Sequence, residues 1–126
     1  MHDPPLVLVV DDTANVRELI RVNLTLEGFV VRMASDGQEA LDLVSELLPD
    51  LITMDVVMPR VDGLTAVIRL KTNPATASIP IVMVTARAQT ADRDRARKAG
   101  VDAYLTKPFE PSELIETVRN LLDDRR

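Results

Sequence analysis

Apolar and polar positions in this chain alternate between two rhythms. Short runs dominated by valine, leucine, isoleucine and methionine lie at 6–10, 29–33, 51–54, 81–84 and 101–105. Between and after them, stretches at 13–27, 36–48, 63–73, 88–99 and 111–123 carry helical spacing. Strands alternating with helices predict βαβ crossovers and a parallel sheet, an α/β fold in one domain. The first, third and fourth runs are almost continuously apolar, as central strands covered on both faces must be. The second contains Arg32 and the fifth Asp102, which suits sheet edges.

The punctuation agrees. Asp36 and Glu39 form a capping box at the start of the second helix. Gly28 and Gly100 are placed as helix terminators. Pro111 falls in the first turn of the last helix, where its missing N–H costs nothing. Leu114, Val118, Leu121 and Leu122 then make one buried stripe. The fourth helix has only alanine as apolar content, so it is expected to be held weakly, as a mobile element is.

Composition narrows the chemistry. The chain has 126 residues, enough for one domain, and 46% of them are hydrophobic. Only Phe29, Tyr104 and Phe109 are aromatic, so the core is expected to be aliphatic. The net charge of −5 argues against nucleic-acid or anionic-membrane binding. Cysteine is absent, which excludes disulfides and thiol chemistry. His2 is the only histidine, so Ser-His and His-metal chemistry have no basis. No run is long enough to span a bilayer, and the N-terminus has no leader character. These features imply a soluble, cytoplasmic protein. Residues 1–5 read as a disordered tail, 6–123 as the domain and 124–126 as a second tail.

In an open parallel sheet, ligands bind beyond the carboxyl ends of the strands. The residues at those exits are Asp11 and Asp12, Asp55, Thr85 with Ala86, and Thr106 with Lys107 and Pro108. Each has an ordinary explanation alone, as a cap, a turn residue or a solvated lysine. Together they place three carboxylates, a hydroxyl and an ammonium on one rim. Crowded carboxylates repel unless a cation neutralises them. A hard divalent ion such as Mg2+ suits an oxygen-only site and accepts phosphate oxygens as well. Lys107 adds a compact positive charge for an anion beside it. One carboxylate is left to act as a nucleophile toward phosphorus, and Asp55, at a rigid strand tip, is best placed.

These residues, in this order, resemble the receiver domain of bacterial two-component response regulators. The resemblance runs from about Leu6 to Leu122. It rests on Asp11-Asp12, on Asp55 with Met58-Pro59 and Asp62-Gly63, on Thr85-Ala86 and on Lys107-Pro108-Phe109. It implies a flavodoxin-like (βα)5 fold with strand order 2-1-3-4-5. It implies that Asp55 is the phosphoacceptor, charged by a histidine kinase or histidine phosphotransferase. Mg2+ would be held by Asp12, Asp55 and the backbone carbonyl of Val57, with Asp11 acting partly through water. Thr85 and Lys107 would contact the phosphoryl oxygens, and the Lys107–Pro108 bond would be cis. Tyr104 would swing inward as Thr85 moves toward the phosphoryl group. The face made by the fourth helix, fifth strand and fifth helix would then change for a downstream protein. Such a domain catalyses only its own phosphotransfer and dephosphorylation.

Two surfaces stand out beside this resemblance. From Arg87 to Lys98 the chain has five basic and two acidic residues, a docking face for an acidic partner or simply a solvated one. On the first helix, Leu19, Val22 and Leu26 widen the apolar arc beyond the core stripe of Val16, Ile20 and Leu24. Thr13, Asn15, Val16, Leu19 and Pro108 are the candidates for contact with the kinase.

Two positions depart from common family patterns. Val57, two residues after Asp55, cannot hydrogen-bond an attacking water, so slow autodephosphorylation is expected. Ala103 and Thr117 stand where many DNA-binding regulators place the Asp and Arg of a dimer ion pair, so a monomer or weak dimer is expected. Alternatives are the receiver part of a larger regulator with a DNA-binding or enzymatic output domain, and a small aspartyl phosphatase. The phosphatase lacks its second Asp, because Val57 holds that position. Neither glycine-rich nucleotide-binding motif is present.

Overall fold

The computed structural model describes residues 1–125. Five strands alternate with five helices: β1 Leu6–Val10, α1 Ala14–Leu26, β2 Val30–Ala34, α2 Gly37–Leu47, β3 Leu51–Met54, α3 Gly63–Thr72, β4 Ile81–Thr85, α4 Thr90–Ala99, β5 Ala103–Thr106 and α5 Pro111–Arg125. The strands form one parallel sheet in the order β2-β1-β3-β4-β5. The fold class and strand order are those expected.

Alternation along each strand divides the core in two. Val7 and Val9 point to one face with Ile20 and Leu24 of α1 and Leu114, Val118 and Leu122 of α5. Leu8 and Val10 point to the other with Ala40 and Val44 of α2 and Ala66, Val67 and Leu70 of α3. β1, β3 and β4 are buried along their whole length, whereas β2 and β5 are the partly exposed edges. Each fully buried leucine or isoleucine contributes about 2 kcal/mol. α1 is therefore anchored firmly by two such residues. The buried side chain of α4 is the methyl of Ala96, which contributes about 0.8 kcal/mol.

Several boundaries differ from the expectation, each for a visible reason. Phe29 precedes β2 and is buried against the α1–α5 layer, its amide donating to the Leu24 carbonyl at 3.1 Å. β5 starts at Ala103 because the Asp102 carboxylate is taken by the Ile81 amide at 2.8 Å and Lys71 Nζ at 3.1 Å. α5 extends through Asp124 to Arg125, where Arg125 donates to the Asp50 carbonyl at 2.7 Å, so these two residues are helix rather than tail. Arg126 lies outside the described residues. Residues 1–5, expected to be loose, are tied down: the His2 amide donates to both oxygens of buried Asp50, at 3.2 and 3.1 Å.

Candidate functional site

The strand exits converge as the topology requires. Backbone pairing continues past the regular strands to the site residues themselves. The Asp11 amide donates to Ala34, the Asp55 amide to Val10 and the Lys107 amide to Thr85, at 3.2, 3.1 and 2.8 Å. The three polar side chains are thus set on paired backbone rather than on loose loops.

Asp11, Asp12 and Asp55 bring carboxylate oxygens within 4.8 Å of one another. Asp11 and Asp55 are buried, while Asp12 is exposed. Lys107 bridges the buried pair, its Nζ 2.7 Å from Asp11 Oδ2 and 2.9 Å from Asp55 Oδ2. Burial acts to lower the Lys107 pKa, but hydrogen bonds and charge from both carboxylates outweigh it and hold the ammonium above its ordinary value. The other oxygens have local donors: Thr13 N reaches Asp11 Oδ1 at 2.9 Å, and Val56 N reaches Asp55 Oδ1 at 2.6 Å. A set of three close carboxylates, all hard oxygen donors, fits a divalent cation of the Mg2+ type.

The loop after β3 is shaped by Gly63. A Cβ there would lie 1.9 Å from the Asp55 carbonyl oxygen, so only glycine lets α3 start so close to the acid. The Gly63 amide donates to the Val56 carbonyl at 2.8 Å, and Asp62 caps α3 by accepting from Thr65 N at 2.8 Å. Val57 projects from this loop, 53% exposed.

The remaining expected residues surround this centre. Thr85 is buried at the end of β4, and its hydroxyl accepts from the Arg87 amide at 3.3 Å. Tyr104 is half-buried on β5 and donates to the Arg87 carbonyl at 2.7 Å, with Arg93 stacked 4.8 Å from its ring centre. Burial, and then the charge of Asp92, push the Tyr104 phenol upward, so it remains a donor. The Lys107–Pro108 peptide is cis. Thr13 and Asn15 are exposed at the start of α1. Val16, Leu19 and Pro108 line an open cavity of about 430 Å3 with Ala86, Lys107 and Phe109. Leu19, Val22 and Leu26 are exposed by 48, 39 and 80%, so the apolar arc on α1 does face solvent.

Sequence reasoning passed over three residues here. Arg17 donates to the Asp11 carbonyl at 2.6 Å and fastens α1 to the end of β1. Arg60, at φ 66°, donates to both oxygens of Asp36 at 2.9 and 3.0 Å. Asp92 receives Arg95 at 2.6 Å and lies 3.9 Å from Arg87. The basic composition of the Arg87–Lys98 stretch was a signal, but the pairing depends on turn geometry.

Comparison with known proteins adds an independent line. A family model described as the response regulator receiver domain matches residues 7–119. The chain is 41% identical over 118 residues to the DNA-binding dual master transcriptional regulator RpaA of Synechocystis, covering 94% of this chain and 49% of RpaA. It is 43% identical over 119 residues to the response regulator MprA of Mycolicibacterium vanbaalenii, covering 94% and 51%. The chain therefore spans about half the length of these relatives. Among solved structures, the receiver domain of the Francisella response regulator 1452 superposes with a TM-score of 0.91 at 33% identity, covering 97% of this chain and 99% of that one. The chemotaxis protein CheY4 of Vibrio cholerae superposes with a TM-score of 0.88 at 30% identity, covering 93% and 98%.

Proposed function

The chain belongs to the response regulator receiver domain family of two-component systems, and from that premise we propose that it is a phosphorylation switch whose acceptor is Asp55. The observation that carries this reading is the Lys107 bridge between two buried carboxylates beside an exposed third, at the carboxyl end of the sheet. A cation already placed between Asp11 and Asp55 is a cation available to an anion that arrives there.

The chemistry follows from the residues. Asp55 attacks the phosphorus of a phosphohistidine on a kinase or phosphotransferase. A P–O bond to Asp55 forms, and the P–N bond breaks with its electron pair going to the imidazole nitrogen, which takes a proton. Lys107 follows the new negative charge on the phosphoryl oxygens. Thr85 gives up its bond from Arg87 N and offers its hydroxyl to a phosphoryl oxygen. Asp11, Asp12, Asp55 and the Val57 carbonyl would hold Mg2+, which offsets the charge on the transferring group. In dephosphorylation a water oxygen adds to phosphorus and gives its proton to solvent, while the P–O bond to Asp55 breaks with its electron pair staying on the carboxylate, leaving free Asp55 and inorganic phosphate. Asp55 needs no turnover of a separate substrate.

The downstream contact falls to α4, β5 and α5. Movement of Thr85 reaches that face through Arg87, whose backbone joins Thr85 to Tyr104. α4, anchored by one alanine, is the element least costly to shift. The kinase contact falls to the solvent-facing arc of α1 and to Pro108. Whether an output domain follows is set by the full gene; the DNA-binding relative RpaA makes a transcriptional output one form to look for.

Acetyl phosphate supplies the test. In the presence of Mg2+ the protein is expected to gain one phosphoryl mass, and chelation of Mg2+ is expected to abolish the gain. Equal gain with and without the ion would remove the metal from this account.

A further inference from the structure

Of the groups proposed to hold Mg2+, Val57 alone offers a backbone carbonyl, and that carbonyl is only as fixed as the β3–α3 loop that carries it. The loop is closed at its neck, where a Cβ on Gly63 would lie 1.9 Å from the Asp55 carbonyl oxygen and the Gly63 amide donates to Val56. Past Met58, which is buried in the core, the tip makes a tight turn: the Val61 amide donates to the Pro59 carbonyl at 2.9 Å.

This tip rests on a different element, the start of α2. A Cβ on Gly37 would lie 1.8 Å from the Val61 carbonyl oxygen, so glycine lets loop and helix backbones touch. Beside that contact, Arg60 Nη2 donates to Asp36 Oδ1 and Oδ2 at 2.9 and 3.0 Å. Asp36 is itself held, because Oδ1 caps α2 by accepting from the Glu39 amide at 2.8 Å, and its side chain is 13% exposed.

Stability does not account for an arginine here. Its φ of 66° is left-handed, a region unfavourable for an L side chain and free for glycine. The Arg60 side chain is 59% exposed, and an exposed ion pair contributes little. Glycine would serve the turn at least as well. What arginine adds is a fastening between the loop and α2.

We propose that Arg60 is a positioning residue: its contact with Asp36 clamps the tip of the β3–α3 loop to α2 and so holds the Val57 carbonyl ready for the divalent ion. This rests on the reading of Asp11, Asp12 and Asp55 as a Mg2+ site. A ligand group that is already fixed loses little freedom on binding, so a clamped loop takes the ion more tightly than a free one. The sign of the effect separates a clamp from a charge. As a charge alone, the guanidinium would repel Mg2+, and removing it would strengthen ion binding. As a clamp it strengthens ion binding, and removing it does the reverse.

The test compares wild type, Arg60→Gly, Arg60→Lys, Asp36→Asn and the Arg60→Gly/Asp36→Asn double variant. Mg2+ affinity is read by calorimetry on the unphosphorylated proteins, and stability by denaturant unfolding in chelator. Arg60→Gly is expected to unfold at the same or a higher denaturant concentration than wild type, while its Kd for Mg2+ rises about tenfold, the lower range for losing a group that orients a metal ligand. Arg60→Lys, which keeps one prong of the contact, is expected to fall between the two. The double variant is expected to lose no more affinity than the sum of the single variants and to gain nothing from the second change that the first has already removed, because both break one contact. In phosphorylation by acetyl phosphate, the Mg2+ concentration for half-maximal rate is expected to rise in Arg60→Gly by the same factor as Kd. An Arg60→Gly protein that binds Mg2+ as tightly as wild type, or more tightly, overturns the clamp and leaves the metal site standing. Weaker binding that comes with an equal loss of stability overturns it as well, since Arg60 would then serve the fold. A folded wild type that binds no Mg2+ overturns both the clamp and the metal site.

Discussion

Lys107 Nζ stands 2.7 Å from Asp11 and 2.9 Å from Asp55, so one ammonium bridges two buried carboxylates contributed by different strands and offsets one of their two charges. That arrangement makes Lys107 structural as well as functional. In Lys107→Met the two carboxylates face each other without their cation. The melting temperature is expected to fall in chelator, and Mg2+ is expected to recover more of the loss in the variant than it adds to wild type. Thermal melts with and without Mg2+ check this; an equal Mg2+ shift in both proteins would count against a shared site. The pH dependence has a definite sign. The folded Lys107 pKa lies above the ordinary 10.5, so its stabilisation is fully present below that pH. It is lost as pH rises through the folded value, and the gap between wild type and Lys107→Met should close there.

The start of α2 offers a cleaner stability test. Asp36 accepts from the Glu39 amide at 2.8 Å and from Arg60. The backbone bond from Glu39 leads in lowering its pKa, with Arg60 adding to it. Asp36→Ala is expected to cost about 1 kcal/mol in denaturant unfolding at neutral pH. A depressed carboxylate stabilises above its unfolded pKa of 3.8 and loses that contribution as pH falls through the folded value. The difference between the two proteins should shrink in that acidic range.

Thr53 points the other way. It is buried in the middle of β3, and among the described residues its hydroxyl is the buried side-chain polar atom without a hydrogen-bond partner. Valine has the same shape without that unsatisfied group. Thr53→Val is expected to stabilise the fold by about 1 kcal/mol in denaturant unfolding. A loss of stability would mean that the hydroxyl is satisfied in solution.

Leu19 and Val22 carry the kinase-contact prediction. Both are exposed on α1, outside the core made by Ile20 and Leu24. Replacing both by serine is expected to weaken phosphotransfer from the cognate kinase and to leave phosphorylation by acetyl phosphate intact. Loss of both reactions, read side by side, would point to a folding defect instead.

What the sequence made legible follows from its physics. Asp11, Asp12, Asp55 and Lys107 could be brought together on paper because parallel strands all exit on one rim, and apolar runs locate the exits. The central and edge strands were legible because burial on two faces leaves no room for alternation. The contacts of Arg17 and Arg60 were not, because they depend on backbone angles in loops that no periodicity encodes. Asp102 was read as part of an edge strand, but its carboxylate captures Lys71 and the Ile81 amide and delays β5. Glu39 was read as closing a capping box on Asp36, yet its side chain reaches the Ser35 amide at 3.2 Å, one residue further back. Its own amide completes the half that was expected.

The central claim is that Asp55 accepts a phosphoryl group. Intact-mass spectrometry after incubation with acetyl phosphate and Mg2+, on wild type and Asp55→Asn, tests it most directly. The account predicts a gain of one phosphoryl group in wild type and none in the variant. Equal gain in both, or no gain in a folded wild type that binds Mg2+, would contradict it.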